Sequence, residues 1–270
     1  MLTYYEKVAP YILPYLKNRP LSLKRNPNGI AGESFYHKDA GDIAPDWVKT
    51  ADIHSDSNDK IIHYLVCNNI DSLLFIANLG CIEMNPWNSV TSRLDRPDYL
   101  VMDIDPSDKN TFDEVVDVAL VIREIMDEGG FDGCCKTSGS TGLHIYIPCK
   151  GRYEYEEVRD FAKLIATLVN ERMPENTTLE RSLSKRKKNQ IYIDYLQNSR
   201  GQTLASAYSV RPKPGATVSA PLEWKEVKHG LHPSDFTMLN IHKRLAKKGD
   251  LFAPVLGKPI NISRALKLLS

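Results

Sequence analysis

The sequence predicts an α/β (α+β) fold in which helices pack on an open β-sheet, and three observations support this class. Segments with helical periodicity alternate with short apolar segments typical of strands. No internal repeat or low-complexity tract interrupts the alternation. The chain has 270 residues, enough to bury a large core in one big domain or in two smaller ones. The region before residue 98 is less regular and rich in Pro, Asn and Asp, so it could form a separate lobe.

Three helices are predicted from apolar periodicity and from their boundary residues. The first covers about residues 3 to 17, where Pro10 and Pro14 should bend or interrupt it. The second begins at Thr111 and Glu114, which have the spacing of a capping box, and stops at Gly129. The third runs from about 154 to 172. Strands are predicted at 99–105, in GCCKT and GLHIYIP, in IYIDYL, and near 203 to 209.

Composition limits the functional classes without selecting one. Hydrophobic residues make up 42% of the chain and charged residues 26%, which is typical of a soluble globular protein. The net charge of +1 argues neither for nor against an anionic partner. No apolar segment approaches the ~20 residues of a membrane span, and the first residues lack the pattern of a signal peptide. We therefore expect a cytoplasmic protein. The five cysteines show no C-x-x-C spacing, which predicts reduced and mostly buried thiols.

Two acids interrupt the apolar strand YLVMDID. Because side chains alternate along a strand, Asp103 and Asp105 share a face, with Cβ atoms roughly 6 to 7 Å apart. Two carboxylates so close would repel each other unless a cation lay between them. The alternative is that the strand simply ends there, with Asp105 opening an ordinary turn.

A second strand, IYIDYL, also carries an acid. If this strand neighbours the first in the sheet, Asp103, Asp105 and Asp194 form a cluster of three carboxylates, the ligand type preferred by Mg²⁺ and Mn²⁺. Asp194 could instead face solvent on an edge strand. The basic segment RSLSKRKKN, residues 181 to 189, is either a solvated loop or a phosphate contact beside such a cluster.

The segment KTSGSTGLHIYIP has a composition suited to phosphate oxygens. Gly139 and Gly142 permit a sharp turn with exposed amides, and Ser138 and Thr141 supply hydroxyl groups. It is neither a Walker loop nor a dinucleotide-binding motif, and a plain hairpin turn is the alternative. His144 follows on the strand, where a lone histidine is more often structural than functional.

Taken in order, these motifs resemble the polymerase domain of bacterial ATP-dependent DNA ligase D, a member of the archaeo-eukaryotic primase superfamily. The resemblance rests on DIDPSD, TSGSTGLHIY, IYIDYLQNSRGQT and YSVRPKPG, and it spans nearly the whole chain. It implies a primase-polymerase fold: a central mixed sheet with an RNA-recognition-motif-like core, flanked by helices and joined to an N-terminal α/β lobe. Residues 1–270 would then form one catalytic domain, with the lobe at 1–97 and the catalytic core and C-terminal helices at 98–270.

The resemblance also implies roles for individual residues. Asp103, Asp105 and Asp194 match the family's catalytic, metal-binding acids. The nucleotide site would comprise Ser138, Thr141, His144, Lys187 and Arg211. Contacts to DNA would come from Lys24, Arg25, Phe35 and Tyr36. In MNPW this chain has Asn85 where many relatives have a histidine.

The implied activity is template-directed addition of nucleotides, preferentially NTPs, to a primer 3′-hydroxyl, with two Mn²⁺ or Mg²⁺ ions per site. Implied partners are gapped or broken DNA, NTP or dNTP, a Ku-type end-binding protein and a ligase, with no membrane. The implied setting is gap filling and non-homologous end joining in a bacterial or archaeal cytosol, associated with the nucleoid. Two other classes stay open: a metal-dependent phosphoesterase or nuclease using the same acids, and a non-catalytic nucleic-acid-binding module.

A further expectation concerns the start of the sequence. Relatives usually carry an additional N-terminal segment, ahead of the match to Tyr4 and Tyr5, whose lysines help hold a 5′-phosphate. Since this sequence starts at Met1, we expect weak discrimination between a 5′-phosphate and a 5′-hydroxyl at a gap.

Overall fold

Three β-sheets and six α-helices make up the protein in a computed structural model, which describes residues 1–55 and 59–270. The helices of this described part are α1 (Leu2–Leu16), α2 (Ile70–Asn78), α3 (Phe112–Glu128), α4 (Tyr155–Arg172), α5 (Ile241–Lys248) and α6 (Ile262–Leu269). The strands are β1 (Leu21–Arg25), β2 (Phe35–His37), β3 (Thr50–Ser55), β4 (Lys60–Leu65), β5 (Cys81–Pro86), β6 (Tyr99–Asp105), β7 (Cys134–Thr137), β8 (Leu143–Pro148), β9 (Thr177–Thr178), β10 (Ile191–Asp194) and β11 (Pro221–Leu222).

The largest sheet has six strands in the order β11-β7-β8-β6-β10-β9. It is mixed, because β10 and β9 are parallel while the other neighbours are antiparallel. Helices α3 and α4 pack together and against this sheet. A smaller sheet, ordered β2-β1-β5, and the β3-β4 hairpin come from the first part of the chain. The predicted α/β class with a central mixed sheet is confirmed.

The start of α3 is set by the capping box that the sequence predicts. Thr111 and Glu114 form the expected capping box: the Thr111 hydroxyl accepts from the Glu114 amide at 3.3 Å, and the Thr111 amide donates to the Glu114 carboxylate at 2.6 Å. Helix α1 continues through both Pro10 and Pro14, so of the expected bend or interruption the interruption does not occur. Its buried face packs into the hydrophobic core, and such packing can outweigh the local cost of a proline.

The strand predicted near 203–209 is absent. This segment makes only the isolated bridges Trp87↔Thr203 and Val210↔Val218, and Tyr208 takes a left-handed backbone conformation with φ 66°. An extended strand cannot continue through such a residue. The segment instead bonds irregularly, since the Ser206 amide donates to the Met84 carbonyl and the Tyr208 amide to the Ser219 carbonyl.

One hydrophobic cluster runs from α1 through the large sheet to the C-terminal helices. A buried cation reinforces this connection: Arg19 donates to the Asp98 carboxylate at 2.6 Å and to the Tyr99 hydroxyl at 2.9 Å. The N-terminal segment is therefore anchored directly at the start of β6. All five cysteines are free and buried, as expected. Every helix in the described ranges is too short or too polar to cross a lipid bilayer.

Candidate functional site

A row of four polar side chains crosses the large sheet on one face. Asp194 on β10 is paired in register with Asp103 on β6, Asp103 with His144 on β8, and His144 with Lys136 on β7. Neighbouring strands place such partners only about 4.5 to 5.5 Å apart at their Cα atoms. Asp105 lies two residues beyond Asp103 on the same face, opposite Tyr192. The sheet register thus brings the three predicted acids together.

The acids repel one another. Burial, followed by the Asp103 carboxylate, raises the pKa of Asp105 to about 6, and the same two causes raise the pKa of Asp194. The nearest cationic group to Asp105 is Arg186, whose Nη1 lies 3.8 Å from Oδ2. Since this cation does not offset the repulsion, the cluster suits an additional positive charge.

The cluster is not yet arranged as a metal cage. One oxygen of Asp194 accepts from the Leu196 amide at 2.8 Å and the Tyr192 hydroxyl at 3.2 Å, and the other accepts from Gln197 at 3.1 Å. Accordingly, among the residues described, no three His, Cys, Asp or Glu side chains already have a metal-binding arrangement. The chemistry of the donors fits a hard divalent cation, whose binding would require these oxygens to reorient.

The hairpin turn between β7 and β8 forms a closed loop beside the acids. The Ser138 hydroxyl accepts from the amides of Ser140 and Gly142, both at 3.0 Å, so these amides are not exposed as the sequence suggested. Gly142 is required because a Cβ there would lie 2.1 Å from the Ile104 carbonyl oxygen. The segment is therefore a hairpin turn, and it also lies beside the acids. The Ser138 hydroxyl keeps its own hydrogen for a ligand.

Arg211 connects this loop to the smaller sheet. Its Nε donates to the Glu83 carboxylate at 2.7 Å, and its Nη1 donates to the Ser138 carbonyl. Glu83 is only 3% exposed at its side chain, so the pair is largely withdrawn from water. Gly139 leaves room for Arg211, because a Cβ there would lie 2.6 Å from the arginine Cγ. Hydrogen bonds to Glu83 and to the Ser138 carbonyl thus fix one edge of the guanidinium group.

His144 sits between the acids and a buried lysine. Its Nε2 lies 3.3 Å from Asp103 Oδ1, and its Nδ1 lies 2.8 Å from Lys136 Nζ. Burial, and then the neighbouring Lys136, lower the pKa of His144 to about 4. Burial is also the main reason why the pKa of Lys136 falls to about 7. The imidazole is therefore neutral at physiological pH.

These groups line one cavity of about 310 Å³, which joins the large sheet to the smaller one. The acids Asp103 and Asp105, the loop residues Ser138 and Thr141, and His144 all face it. Its complete lining is Tyr36, Glu83, Asn85, Asp103, Ile104, Asp105, Ser138, Ser140, Thr141, Gly142, His144, Gln197, Thr203, Leu204, Ala205 and Arg211. The cavity is strongly polar, which suits a charged small molecule.

Lys187 is placed differently from the other predicted nucleotide contacts. Its exposed ammonium group lies 3.9 Å from Glu175, and the residue lines an adjacent cavity rather than the one that holds His144. Its neighbour Arg186 is closer to the acids, with its guanidinium stacked 3.8 Å above the Tyr192 ring. Within the basic segment, Arg186 is thus the cation nearest the site.

The four predicted DNA contacts lie on strands β1 and β2 as two cross-strand pairs. Lys24 is paired with Tyr36, and Arg25 with Phe35. Each cation lies over its aromatic partner, at 5.6 Å for Lys24 and 5.3 Å for Arg25. Phe35 and Tyr36 are 46% and 59% exposed, which is unusual for aromatic residues in a sheet. We call these four residues the aromatic surface; Tyr36 links it to the cavity.

Sequence reasoning missed several residues that line the cavity or lie directly behind it. Lys136 and Glu83 each interrupt an apolar strand, the same signal that identified Asp194, but neither was selected. Gln197 gave no separate signal, because its role depends on its bond to Asp194. Asn85 is buried and donates to the Ser22 carbonyl at 3.2 Å.

The chain is similar to known proteins along nearly all of its length. Residues 1–252 match the family model described as the LigD primase-polymerase domain. The bifunctional non-homologous end joining protein LigD of Bacillus subtilis is 36% identical over 250 residues, which cover 92% of this chain but 39% of that protein. The multifunctional LigD of Pseudomonas aeruginosa is 30% identical over 266 residues, covering 98% of this chain and 31% of the relative. The chain therefore spans 39% and 31% of the length of these two relatives.

A solved structure is also similar. The polymerase domain of Mycobacterium tuberculosis ligase D, determined in complex with DNA, has a TM-score of 0.87 and 26% sequence identity. The alignment covers 96% of this chain and 92% of that domain.

Proposed function

Because the chain belongs to the LigD primase-polymerase domain family, a family of nucleotidyltransferase-type enzymes, we propose that it adds nucleotides to the 3′-hydroxyl of a DNA primer under direction of a template. One observation carries the proposal: a single cavity joins Asp103 and Asp105, with Asp194 paired to Asp103 on the adjacent strand, to the loop, histidine and arginine that suit a triphosphate. A nuclease would need the acids but not this second set of groups.

Several residues around the cavity would each supply a contact to the nucleotide. Arg211, whose Nε is held by Glu83, presents the remaining face of its guanidinium group to a phosphate. The Ser138 hydroxyl and the His144 Nε2 lie on the neighbouring hairpin and can each donate one hydrogen bond. With Thr141 at the cavity wall, these groups surround a triphosphate from the side opposite the aromatic surface.

Asp103, Asp105 and Asp194 would hold divalent cations. The family is metal-dependent in general, and we propose two Mn²⁺ or Mg²⁺ ions per site. Bound there, the ions would lower the pKa of the primer hydroxyl and neutralise charge on the phosphates. The protein itself supplies three carboxylates, and burial and repulsion raise the pKa values of two of them, Asp105 and Asp194. It orients Asp194 through the Leu196 amide and Gln197. No side-chain nucleophile is required.

The aromatic surface would contact the template strand. Phe35 and Tyr36 offer exposed rings on which bases can stack, and Lys24 and Arg25 supply positive charge beside them. The similar domain from Mycobacterium tuberculosis was solved in complex with DNA, and that similarity supports DNA as the partner here. Lys187 and the basic segment around it would attract the phosphate backbone less specifically.

The names of the relatives point to a biological setting. Since these relatives are non-homologous end joining proteins, we propose that this chain fills gaps or extends ends during DNA break repair. A Ku-type end-binding protein and a ligase would be its partners. We place this activity in the cytoplasm of a bacterial or archaeal cell, together with its nucleoid.

Primer extension on a gapped duplex tests the proposal. The assay compares NTPs with dNTPs, in Mn²⁺ and in Mg²⁺, and follows shortening of the labelled strand in parallel. We expect template-matched extension, faster with NTPs, and no net degradation. Asp103→Ala is the matched control for contaminating polymerases. Metal-dependent shortening without extension would establish the nuclease alternative, and metal-independent DNA binding without turnover would establish the binding module.

A further inference from the structure

The buried side chain of Lys136 has a complete set of hydrogen-bond partners. Its Nζ lies 3.0 Å from the Ala205 carbonyl oxygen, 2.6 Å from Ser219 Oγ and 2.8 Å from His144 Nδ1. The side chain has no exposed surface. An ammonium group has three hydrogens to donate, which equals the number of these neighbours.

Two of the three partners can only accept from Lys136. The Ala205 carbonyl has no hydrogen, and the Ser219 hydroxyl already donates its own hydrogen to the Thr137 carbonyl at 2.8 Å. An ammonium group at Lys136 therefore directs its third hydrogen at His144 Nδ1, which must accept it. The proton of a neutral imidazole then resides on Nε2, the nitrogen that faces Asp103 and the cavity.

We propose that Lys136 is a positioning residue that fixes His144 in the Nε2–H tautomer, so that the histidine acts as a neutral hydrogen-bond donor to a nucleotide phosphate. This inference rests on the proposed function for the identity of the ligand, but the tautomer itself does not. Lys136 does not itself line the cavity; it acts through His144. The irregular segment 203–220 contributes two of its three anchors, Ala205 and Ser219.

The protonation state of Lys136 gives this arrangement a testable consequence. A neutral amine donates two hydrogens and accepts one. The Ala205 carbonyl and the Ser219 hydroxyl would then still accept hydrogen bonds from Lys136, and His144 Nδ1 would have to donate a hydrogen to the amine. The tautomer of His144 should therefore change when Lys136 loses its proton. The charged or titratable groups that act on Lys136 are His144 and Asp103, Arg211 and Glu83, and Cys135, with the Tyr146 ring 5.4 Å from Nζ.

Nuclear magnetic resonance of ¹⁵N-histidine-labelled protein, without metal or nucleotide, tests the proposal directly. Correlations between ring nitrogens and ring carbon-bound protons identify the protonated nitrogen, and His144→Gln assigns the signal among the seven histidines. At pH 6 we expect His144 to be neutral and protonated on Nε2. At pH 9 we expect a shift toward the Nδ1–H form. Protonation on Nδ1 at pH 6 would overturn the proposal.

Lys136→Met separates positioning from packing, since it keeps a long side chain but removes the donor. We expect a mixed His144 tautomer and about tenfold weaker ATP binding in Mn²⁺, the scale of one hydrogen bond to a charged group. Cys134→Ala, on the same face of β7 but without contact to His144, should change neither. A folded Lys136→Met protein with wild-type tautomer and ATP affinity would contradict the proposal.

The two measurements also separate this inference from the proposed function. If Lys136→Met does not fold, the pH 6 and pH 9 spectra of the wild type still decide the tautomer. If the spectra agree but the protein extends no primer, the proposed function fails and the positioning role stands. If extension occurs but His144 is protonated on Nδ1 at pH 6, only the positioning role fails.

Discussion

The polar row on the large sheet and the aromatic surface on the smaller one meet at the same cavity, which Asp103, His144 and Tyr36 line, but they hold their side chains differently. His144 and Lys136 are 3% and 0% exposed and depend on each other for hydrogen bonds. Phe35 and Tyr36 are about half exposed and make few contacts beyond their cation partners. A change in the row removes a partner from groups that cannot reach water, whereas a change in the aromatic surface removes mainly one ligand contact.

The largest effect should follow removal of an acid from the row. We expect Asp103→Ala, Asp105→Ala and Asp194→Ala each to reduce primer extension below detection without unfolding the protein. Losing one member of a mutually repelling cluster does not destabilise the metal-free fold. The measurement is extension in saturating Mn²⁺, with circular dichroism as the control for folding. An assignment fails for any residue whose variant retains near-normal extension.

Arg211→Ala should have the next largest effect, because this residue joins the two regions. We expect nucleotide binding to weaken by about 2 to 4 kcal/mol through loss of a charge-assisted contact. The variant also leaves Glu83 buried without its partner, so stability should fall as well.

The double variant Arg211→Ala with Glu83→Gln is the control that separates these two effects. It should recover stability in thermal unfolding without recovering nucleotide affinity. Recovery of both would show that Arg211 acts through folding alone, and unchanged KM and kcat in the single variant would remove it from the site.

On the aromatic surface, Phe35→Ala and Tyr36→Ala should each weaken binding to a template overhang by about 1 to 3 kcal/mol per stacked base. Lys24→Ala should instead reduce the salt dependence of binding, with a change in slope of about one. Titrations at several salt concentrations distinguish these outcomes. Trp47→Ala, an exposed aromatic residue away from the cavity, should change neither quantity. Equal effects from Trp47 and Tyr36 would argue against stacking at this surface.

The smallest effect concerns the metal-free protein. The folded state raises the pKa of Asp105 to about 6, so the folded state binds more protons than the unfolded state between about pH 4 and 6. Stability therefore falls as the pH rises through this window. Asp105→Asn should remove that penalty and stabilise the protein at pH 7.5 by no more than about 1 kcal/mol, since the side chain is half exposed and its interactions are screened.

Unfolding in a chelator at pH 7.5 and at pH 4.5 provides the measurement. At the lower pH the folded Asp105 is mostly protonated, so the difference in stability between wild type and variant should be smaller than at pH 7.5. A destabilised variant at pH 7.5 would mean that the Asp105 carboxylate makes a favourable contact, with Arg186 as the nearest candidate.

Much of the fold and part of the candidate site could be predicted from local patterns. Period-two alternation placed Asp103 and Asp105 on one face, and the capping box located the start of α3. Both features involve residues a few positions apart, where backbone geometry alone sets the spacing. The segment 203–209 could not be predicted in this way, because its conformation follows from bonds to Met84 and Ser219, which are distant in sequence.

The sequence by itself determined the three longest helices, the strands that carry the acids, the family and the faces on which the acids lie. Tertiary structure decided which polar groups meet: the register that pairs Asp194 with Asp103, the contact of Arg211 with Glu83 across 128 positions, and the enclosure of Lys136 by Ala205 and Ser219. The physical reason is that a buried charge is tolerated only with partners. Those partners come from strands and loops that local propensity cannot bring together.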